Sequence, residues 1–381
     1  MTTEYADRLQ VTRAAMKAGS LDALVLASPE NLYYLTGLNH YGYFATTLLL
    51  IGTDGAPRIV ARAMELPTLH AQVPDCEHVT YGDGSDPAQV AARALTDLVA
   101  PGARIGVEHD TMNLPVRVWR ELAAALPDTD WVDATDLLST QRAVKSPAEI
   151  ACVRDAAQIS DRALQAGIAA VHDGVDQREV AATIYRELIA AGSDAPAFPP
   201  FIRASEDIPQ EHVTWRSDRP LRHGDWVFFE LGAAVARYHA PMSRIVYLGE
   251  APDGAHAAAE IVTAGLAAVR SELRPGARAG DVYAAWHRAV SDGLGHDRYH
   301  RHHCGYLTGL GFPPTWTGGS AVTGLRRDSD LVVEQGMVFH VMSWLLGQPL
   351  PDYGVSDTAV VTADGCELLT LTPRTPHVTP S

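Results

Sequence analysis

The sequence predicts two domains of different build, an α/β domain over residues 1–144 and an α+β domain over residues 145–381. Three observations carry this. At 381 residues the chain is long for one core and sufficient for two. Its first part alternates short apolar strand-like runs with helical stretches, the α/β pattern. Its second part opens on a helix start signal and places helices ahead of strand-like runs, the α+β pattern.

The opening MTTEYADRLQVTRAAMKAG reads as an amphipathic helix and lacks the apolar run of a signal peptide. LDALVLASPENLYYL (21–35) gives an apolar strand, a turn at Ser28-Pro29 and an aromatic-rich segment. TTLLLIGTDGAPRIVAR (46–62) has the form of a hairpin around Thr53-Asp54-Gly55. Helices at about 87–99 and 115–125 then alternate with strands at 103–107 and 130–132. Ser146-Pro147-Ala148-Glu149 is a capping box that starts a long helix, and a second helix follows at about 176–191. WVFFEL (226–231) and SRIVYLG (243–249) read as strands separated by a polar loop. Two more helices, at about 254–272 and 279–293, precede the histidine-rich YHRHHCGY, and MVFHVMSWLL and SDTAVVT close the chain as strands. No internal repeat is visible.

Composition narrows the function classes. Hydrophobic residues make up 46% and charged residues 20%, a globular balance. With 30 basic and 46 acidic side chains the formal charge is −16, which disfavours nucleic-acid and anionic-membrane partners. No stretch approaches the ~18 apolar residues of a membrane span. Cys76, Cys152, Cys304 and Cys366 are scattered without a CxxC pair, which argues against a disulfide framework and fits a reducing, cytoplasmic compartment.

Five stretches of the second domain occur in a recognisable order: EHVTW (211–215), HGDWVFFELG (223–232), RYHAPMSRIVYLG (237–249), HHCGYLTGLGFPPTW (302–316), and QGMVFHVMSW (335–344) with GVSDTAVVT (354–362). With KSPAEI at the boundary and NLYYLTG at 31–37, they resemble the creatinase, prolidase and methionine aminopeptidase superfamily over nearly the whole chain. That resemblance implies a creatinase-like α/β N-terminal domain and a pita-bread α+β catalytic domain. It also implies a homodimer in which one protomer's first domain reaches over its partner's active site.

In the metal-dependent members of that superfamily two Asp, one His and two Glu hold two divalent cations. Matched motif by motif, those five positions fall on Glu230, Pro241, Tyr306, Met342 and Ser356. A dinuclear site needs hard donors with enough negative charge to offset roughly four positive charges. One Glu, even with Asp357 beside the last position, does not supply it, so no metal cofactor is expected. The signatures FEL, YHAPxSR, GYxxGLGFPPxW and GMxFH are similar to ectoine hydrolases, which share the fold and work without metal. Ile245, CGYLTG and WTGGS depart from that pattern, and these changes bear on the substrate more than on the chemistry.

The resemblance implies a small cyclic amidine bearing a carboxylate as substrate. Glu230, an acid on an aromatic strand, is the candidate acid–base group that binds the amidinium and activates water. His212 and His239 are the candidate proton carriers. Tyr306, His340, Trp215, Trp344 and Asp357 are candidate contacts for the substrate. Arg244 or Arg62 would fix its carboxylate. Each has a plainer alternative: a core histidine for His340, core packing for Trp215, Trp316 and Trp344, a surface arginine for Arg62. His300, His302 and His303 look metal-like in composition. As neighbours on a strand they would alternate faces, and they read as a solvated or inter-subunit segment. Three rivals remain open: a metal-dependent Xaa-Pro peptidase or lyase using Glu230, His239, His340 and Asp357; a related amidino- or ureido-cleaving enzyme; and a non-catalytic peptide-binding relative.

Overall fold

The computed structural model describes residues 3–216, 218–319 and 322–380. Ser320, the last residue of WTGGS, and the first two residues of the opening helix pattern lie outside them. The chain divides into two compact units, one up to Arg142 and the other from Ala143 onward, with Gly319 grouped in the first.

The first unit contains α1 (Thr3–Ala18), β1 (Ala23–Leu26), α2 (Pro29–Thr36), β2 (Leu48–Gly52), β3 (Arg58–Arg62), α3 (Leu66–Gln72), β4 (Glu77–Tyr81), α4 (Pro87–Thr96), β5 (Arg104–Val107), α5 (Val116–Ala125), β6 (Asp130–Asp133) and α6 (Thr135–Ala143). Its six strands lie in the order β4-β3-β2-β1-β5-β6. The expected hairpin is β2–β3, antiparallel with Leu49 opposite Ile59. The parallel pairs β1–β5 and β5–β6 are joined through helices, as parallel pairing requires. Leu48, Leu50, Val60, Ile105 and Val107 form its core with the apolar face of α4.

The second unit contains α7 (Pro147–Ala169), α8 (Gln177–Ala190), β7 (Phe201–Ala204), β8 (Trp226–Val235), β9 (Tyr238–Leu248), α9 (Ala255–Glu272), α10 (Ala279–Leu294), β10 (Gly305–Leu307), β11 (Val338–Leu345), β12 (Tyr353–Val361), β13 (Cys366–Leu368) and β14 (His377–Thr379). One order occurs twice, two helices followed by three strands, although the sequence shows no repeat. The sheet order β10-β11-β12-β9-β8-β7 joins the halves through the last strand of each. At that seam Ser243 of β9 is opposite Ser356 of β12.

The capping box forms as expected: the Glu149 backbone N–H donates to Ser146 Oγ, and the Glu149 carboxylate accepts from the Ser146 backbone N–H. The helix behind it buries Val153, Ala156, Ala157, Ser160, Ala163, Leu164 and Gly167, a helical face of mostly small residues. Small residues let α7 lie close on the sheet. Ser160 Oγ accepts from the Ala233 N–H at 2.8 Å and donates to the Ala240 carbonyl at 2.7 Å.

One expectation fails here, with consequences for the site. The polar loop anticipated between 231 and 243 is absent; β8 and β9 run on to Val235 and Tyr238, joined by a two-residue turn. Ala236 and Arg237 both have positive φ, 47° and 65°, as a type I′ hairpin turn requires. Neither residue type signals such a turn, so the sequence pattern hid it. His239 is therefore a strand residue opposite Ala234. Among the described residues no helix is long and apolar enough to cross a membrane.

Candidate functional site

Cross-strand pairing puts Glu230, Ser243, Ser356 and Met342 in one row across β8, β9, β12 and β11. Two residues along, on the same face, Pro241 is opposite Gly232, and His340 is opposite both Thr358 and Tyr306. The five positions Glu230, Pro241, Tyr306, Met342 and Ser356 thus share one face of the sheet.

Above this face lies a cavity of about 480 Å³. Glu230, Tyr306, Met342 and Trp344 line it from the sheet, and Glu211, His212, Arg301, His302, His303, Thr317 and Arg326 from the loops. Glu230 keeps accessible surface only in part, where it meets the cavity, and is otherwise enclosed. Burial pushes its carboxyl up to about 7; the Arg203 guanidinium pulls it down and Glu211 adds to the rise. No hydrogen bond from a described residue shifts it. His212 is exposed, adopts φ 55°, and packs its ring 6.1 Å from Phe201. The left-handed backbone there turns both Glu211 and His212 toward the cavity.

Behind the cavity wall runs a chain of buried hydrogen bonds. Trp316 Nε1 donates to the Tyr306 hydroxyl at 2.9 Å, and that hydroxyl lies 2.8 Å from His340 Nδ1. His340 Nε2 lies 2.6 Å from Ser356 Oγ, which donates to Ser243 Oγ at 2.7 Å. With the serine proton directed to Ser243, His340 donates from Nε2 and accepts at Nδ1 from Tyr306. Burial holds His340 neutral, down at about 3, and pushes the Tyr306 hydroxyl up, so every member is uncharged near neutral pH.

This donor set does not fit a pair of divalent cations. Pro241 and Met342 offer no hard oxygen or imidazole donor, and the Tyr306 and Ser356 oxygens are engaged with His340. Among the described residues no group of three or more His, Cys, Asp or Glu side chains is placed to hold a metal. The alternative set Glu230, His239, His340 and Asp357 is not brought together either, since Asp357 projects from the opposite face of β12 to Ser356.

Several candidates stand elsewhere than expected. His239 is fully buried; its Nε2 accepts from the Ala197 N–H at 3.0 Å and its Nδ1 donates to the Arg237 carbonyl at 2.9 Å. Both nitrogens are committed to backbone, burial lowers the ring to about 4, and it does not line the cavity. Arg244 and Asp357 form a buried ion pair at 2.8 Å, extended by Arg374 at 2.6 Å from the same carboxylate. Arg244 also donates to the Ser356 and Thr372 carbonyls, and neither residue lines the cavity. Trp215 packs edge-on against Tyr185, away from the cavity lining. Arg62, in the first unit, pairs with Asp83 through two hydrogen bonds of 2.9 and 3.1 Å. Trp316 and His340 support Tyr306 from behind, and Ile245 belongs to the core.

The histidine cluster is corrected in the other direction. His302 and His303 precede the strand that starts at Gly305, so strand alternation does not apply, and both line the cavity. Burial, with His302, Arg301 and Arg326 nearby, lowers His303 to about 3. His300 instead stacks on His287, with ring centroids 4.5 Å apart. Glu211, Arg203, Arg301 and Arg326 also belong at or beside the site. Glu211 stands next to His212 in EHVTW, a signal in plain view; the arginines carry no motif.

The sequence profile of the metallopeptidase family M24 matches residues 151–363, and that of the creatinase/prolidase N-terminal domain matches residues 8–144. The chain is 31% identical to an ectoine hydrolase of Halomonas elongata, over 97% of this chain and 96% of the relative. It is 30% identical to an uncharacterized hydrolase/peptidase of Sinorhizobium fredii, over 97% and 96%. Among solved structures, the dipeptidase PepE of Mycobacterium ulcerans superposes with a TM-score of 0.84 at 26% identity, covering 100% of this chain and 99% of that one. The prolidase of Thermococcus sibiricus does so with a TM-score of 0.88 at 21% identity, covering 100% of both. With a creatinase-type first domain, a pita-bread second domain and these relatives, the chain belongs to the M24 metallopeptidase family and is a hydrolase of that fold.

Proposed function

We propose that this protein hydrolyses a C–N bond of a small cyclic amidine without a metal ion, with ectoine as the first compound to test. One observation carries the reading: Glu230 has no ion-pair partner among the described residues, is raised to about 7, and faces a cavity while sharing its sheet face with the neutral side chains of Pro241, Tyr306, Met342 and Ser356. A protonated amidine supplies the positive charge there, and its carbon is electrophilic without Lewis-acid help. The identity to an ectoine hydrolase supports the same choice.

In this reading Glu230 pairs with the amidinium and takes a proton from water as the water oxygen bonds to the amidine carbon. The tetrahedral intermediate collapses by breaking one ring C–N bond. His212 gives a proton to the departing nitrogen, and for ectoine the product is an N-acetyl-diaminobutyrate. His239 has no free nitrogen for this step. An arginine of the cavity takes the carboxylate role first assigned to Arg244 or Arg62. A cytoplasmic homodimer belongs to the same reading, and light scattering measures the assembly.

The deciding experiment incubates chelator-treated, metal-analysed protein with ectoine, hydroxyectoine, creatine and proline dipeptides, and follows products by NMR. Turnover of a cyclic amidine at sub-stoichiometric metal, lost in Glu230→Gln with the melting temperature retained, supports the proposal. Dipeptide cleavage that appears only on adding manganese, cobalt or zinc overturns it.

A further inference from the structure

The strand β7 sits at the sheet edge with Phe201 opposite Glu230 and Arg203 opposite Phe228, so Arg203 shares the face that carries Glu230. Its side chain is only 2% exposed and its guanidinium lies 4.2 Å over the Phe228 ring. Among the described residues, Arg203 Nε and Nη1 have no hydrogen-bond partner. Arg301, on the cavity wall, stacks 5.2 Å over Trp344, whose buried Nε1 likewise has no hydrogen-bond partner among the described residues.

Glu211 stands between the two guanidiniums, Oε2 at 3.7 Å from Arg203 Nη1 and Oε1 at 3.5 Å from Arg301 Nη2. Both distances exceed the 2.7–2.9 Å typical of a charge-assisted hydrogen bond. Glu211 is 46% exposed, next to the left-handed His212, so it screens the two cations without satisfying them. A buried guanidinium with open donors is unfavourable unless a carboxylate closes on it.

We propose that Arg301 on the cavity wall and Arg203, buried behind Glu211, form a carboxylate subsite at the edge of the cavity, that Glu211 holds it loosely in the free protein, and that the carboxylate of the substrate displaces Glu211 from it. The substrate is then a zwitterion, its cation at Glu230 and its anion between the two arginines. The identity of the cationic end rests on the amidine reading; the anionic end does not. A small free carboxylate can close to hydrogen-bond distance, which Glu211 at 3.7 and 3.5 Å does not reach. No covalent step is involved, only the exchange of one carboxylate for another.

Acetate is the direct probe, titrated at constant ionic strength into the full chain and followed by tryptophan fluorescence and ligand NMR. Wild type binds it weakly, Glu211→Gln binds it several-fold more tightly, and Arg301→Gln and Arg203→Gln weaken it at least roughly tenfold, the loss of a charge-assisted hydrogen bond. If Arg203→Gln does not fold, the half-buried Arg301 and the exposed Glu211 carry the test. Acetate binding indifferent to Arg301→Gln, or weakened in Glu211→Gln, overturns the subsite. The second arm compares KM for ectoine in Glu211→Gln, expected to fall, and Arg301→Gln, expected to rise at least tenfold; no change in either also overturns it. If acetate behaves as expected while no amidine is turned over, the subsite stands and the amidine reading falls.

Discussion

The Tyr306 hydroxyl lies 2.8 Å from His340 Nδ1, which joins a wall of the cavity to the seam between the two halves of the catalytic sheet. The same hydroxyl also accepts from Trp316 Nε1. Tyr306→Phe strands two buried polar groups at once. It should cost about 1–3 kcal/mol in denaturant unfolding, while a change limited to a few tenths would show that the network has re-formed around it.

Four groups shifted by burial bear on the pH dependence of stability. His239 is lowered from 6.5 to about 4, and His303 and His340 to about 3. The unfolded chain therefore binds more protons in that range, and their stabilising effect, complete above 6.5, is lost as pH falls. Glu230 is raised from 4.5 to about 7, so its contribution has the opposite sign, present below 4.5 and lost as pH rises through 7. Each group changes stability by about 1.4 kcal/mol per pH unit where it acts. Three histidines outweigh one glutamate, so these groups should raise stability by about 2.8 kcal/mol per unit between pH 4.5 and 6.5. Glu230→Gln should raise that slope by about half, read from chemical denaturation at fixed pH.

The activity profile carries the same ionisation. If Glu230 is the base, kcat/KM should climb as pH rises through about 7, where the carboxylate forms. A profile flat from pH 5 to 8 would remove Glu230 from that role.

Asp357 accepts from Arg244, Arg374 and Thr370 while fully buried. Asp357→Asn should destabilise by about 3–5 kcal/mol, the effect of leaving buried charges uncompensated. Because the side chain projects away from the cavity, the folded fraction should keep the wild-type KM.

His212 and His239 should separate cleanly. His212→Asn is expected to lower kcat at least about a hundredfold with little change in melting, the usual scale for a lost general acid. His239→Gln is expected to lower stability, because the ring bridges the Ala197 N–H to the Arg237 carbonyl. The reverse pattern would restore His239 as the proton carrier.

Much of the architecture was legible because it depends on local chemistry. Ser146 and Glu149 announce a helix start, and Thr53-Asp54-Gly55 announces a hairpin, through interactions between residues a few positions apart. The Ala236-Arg237 turn was not legible, because neither residue prefers the left-handed backbone that the pairing of β8 with β9 imposes. That one turn moved His239 from an expected loop to a strand position. His302 and His303 erred the opposite way, since a strand was assumed where a loop leads into β10.

The sequence by itself determined the chemical character of Pro241, Met342, Tyr306 and Ser356, two side chains without a hard donor and two neutral hydroxyls, wherever the fold places them. Only the tertiary structure decided which charges gather beside Glu230. Arg203 and Glu211 lie close together on β7 and the loop that follows it, whereas Arg301 comes from a loop far along the chain, and the assembled sheet brings it within electrostatic range of Glu211. Long-range pairing of that kind leaves no periodic signal along a chain, so the cavity's cations emerge only once the sheet is assembled.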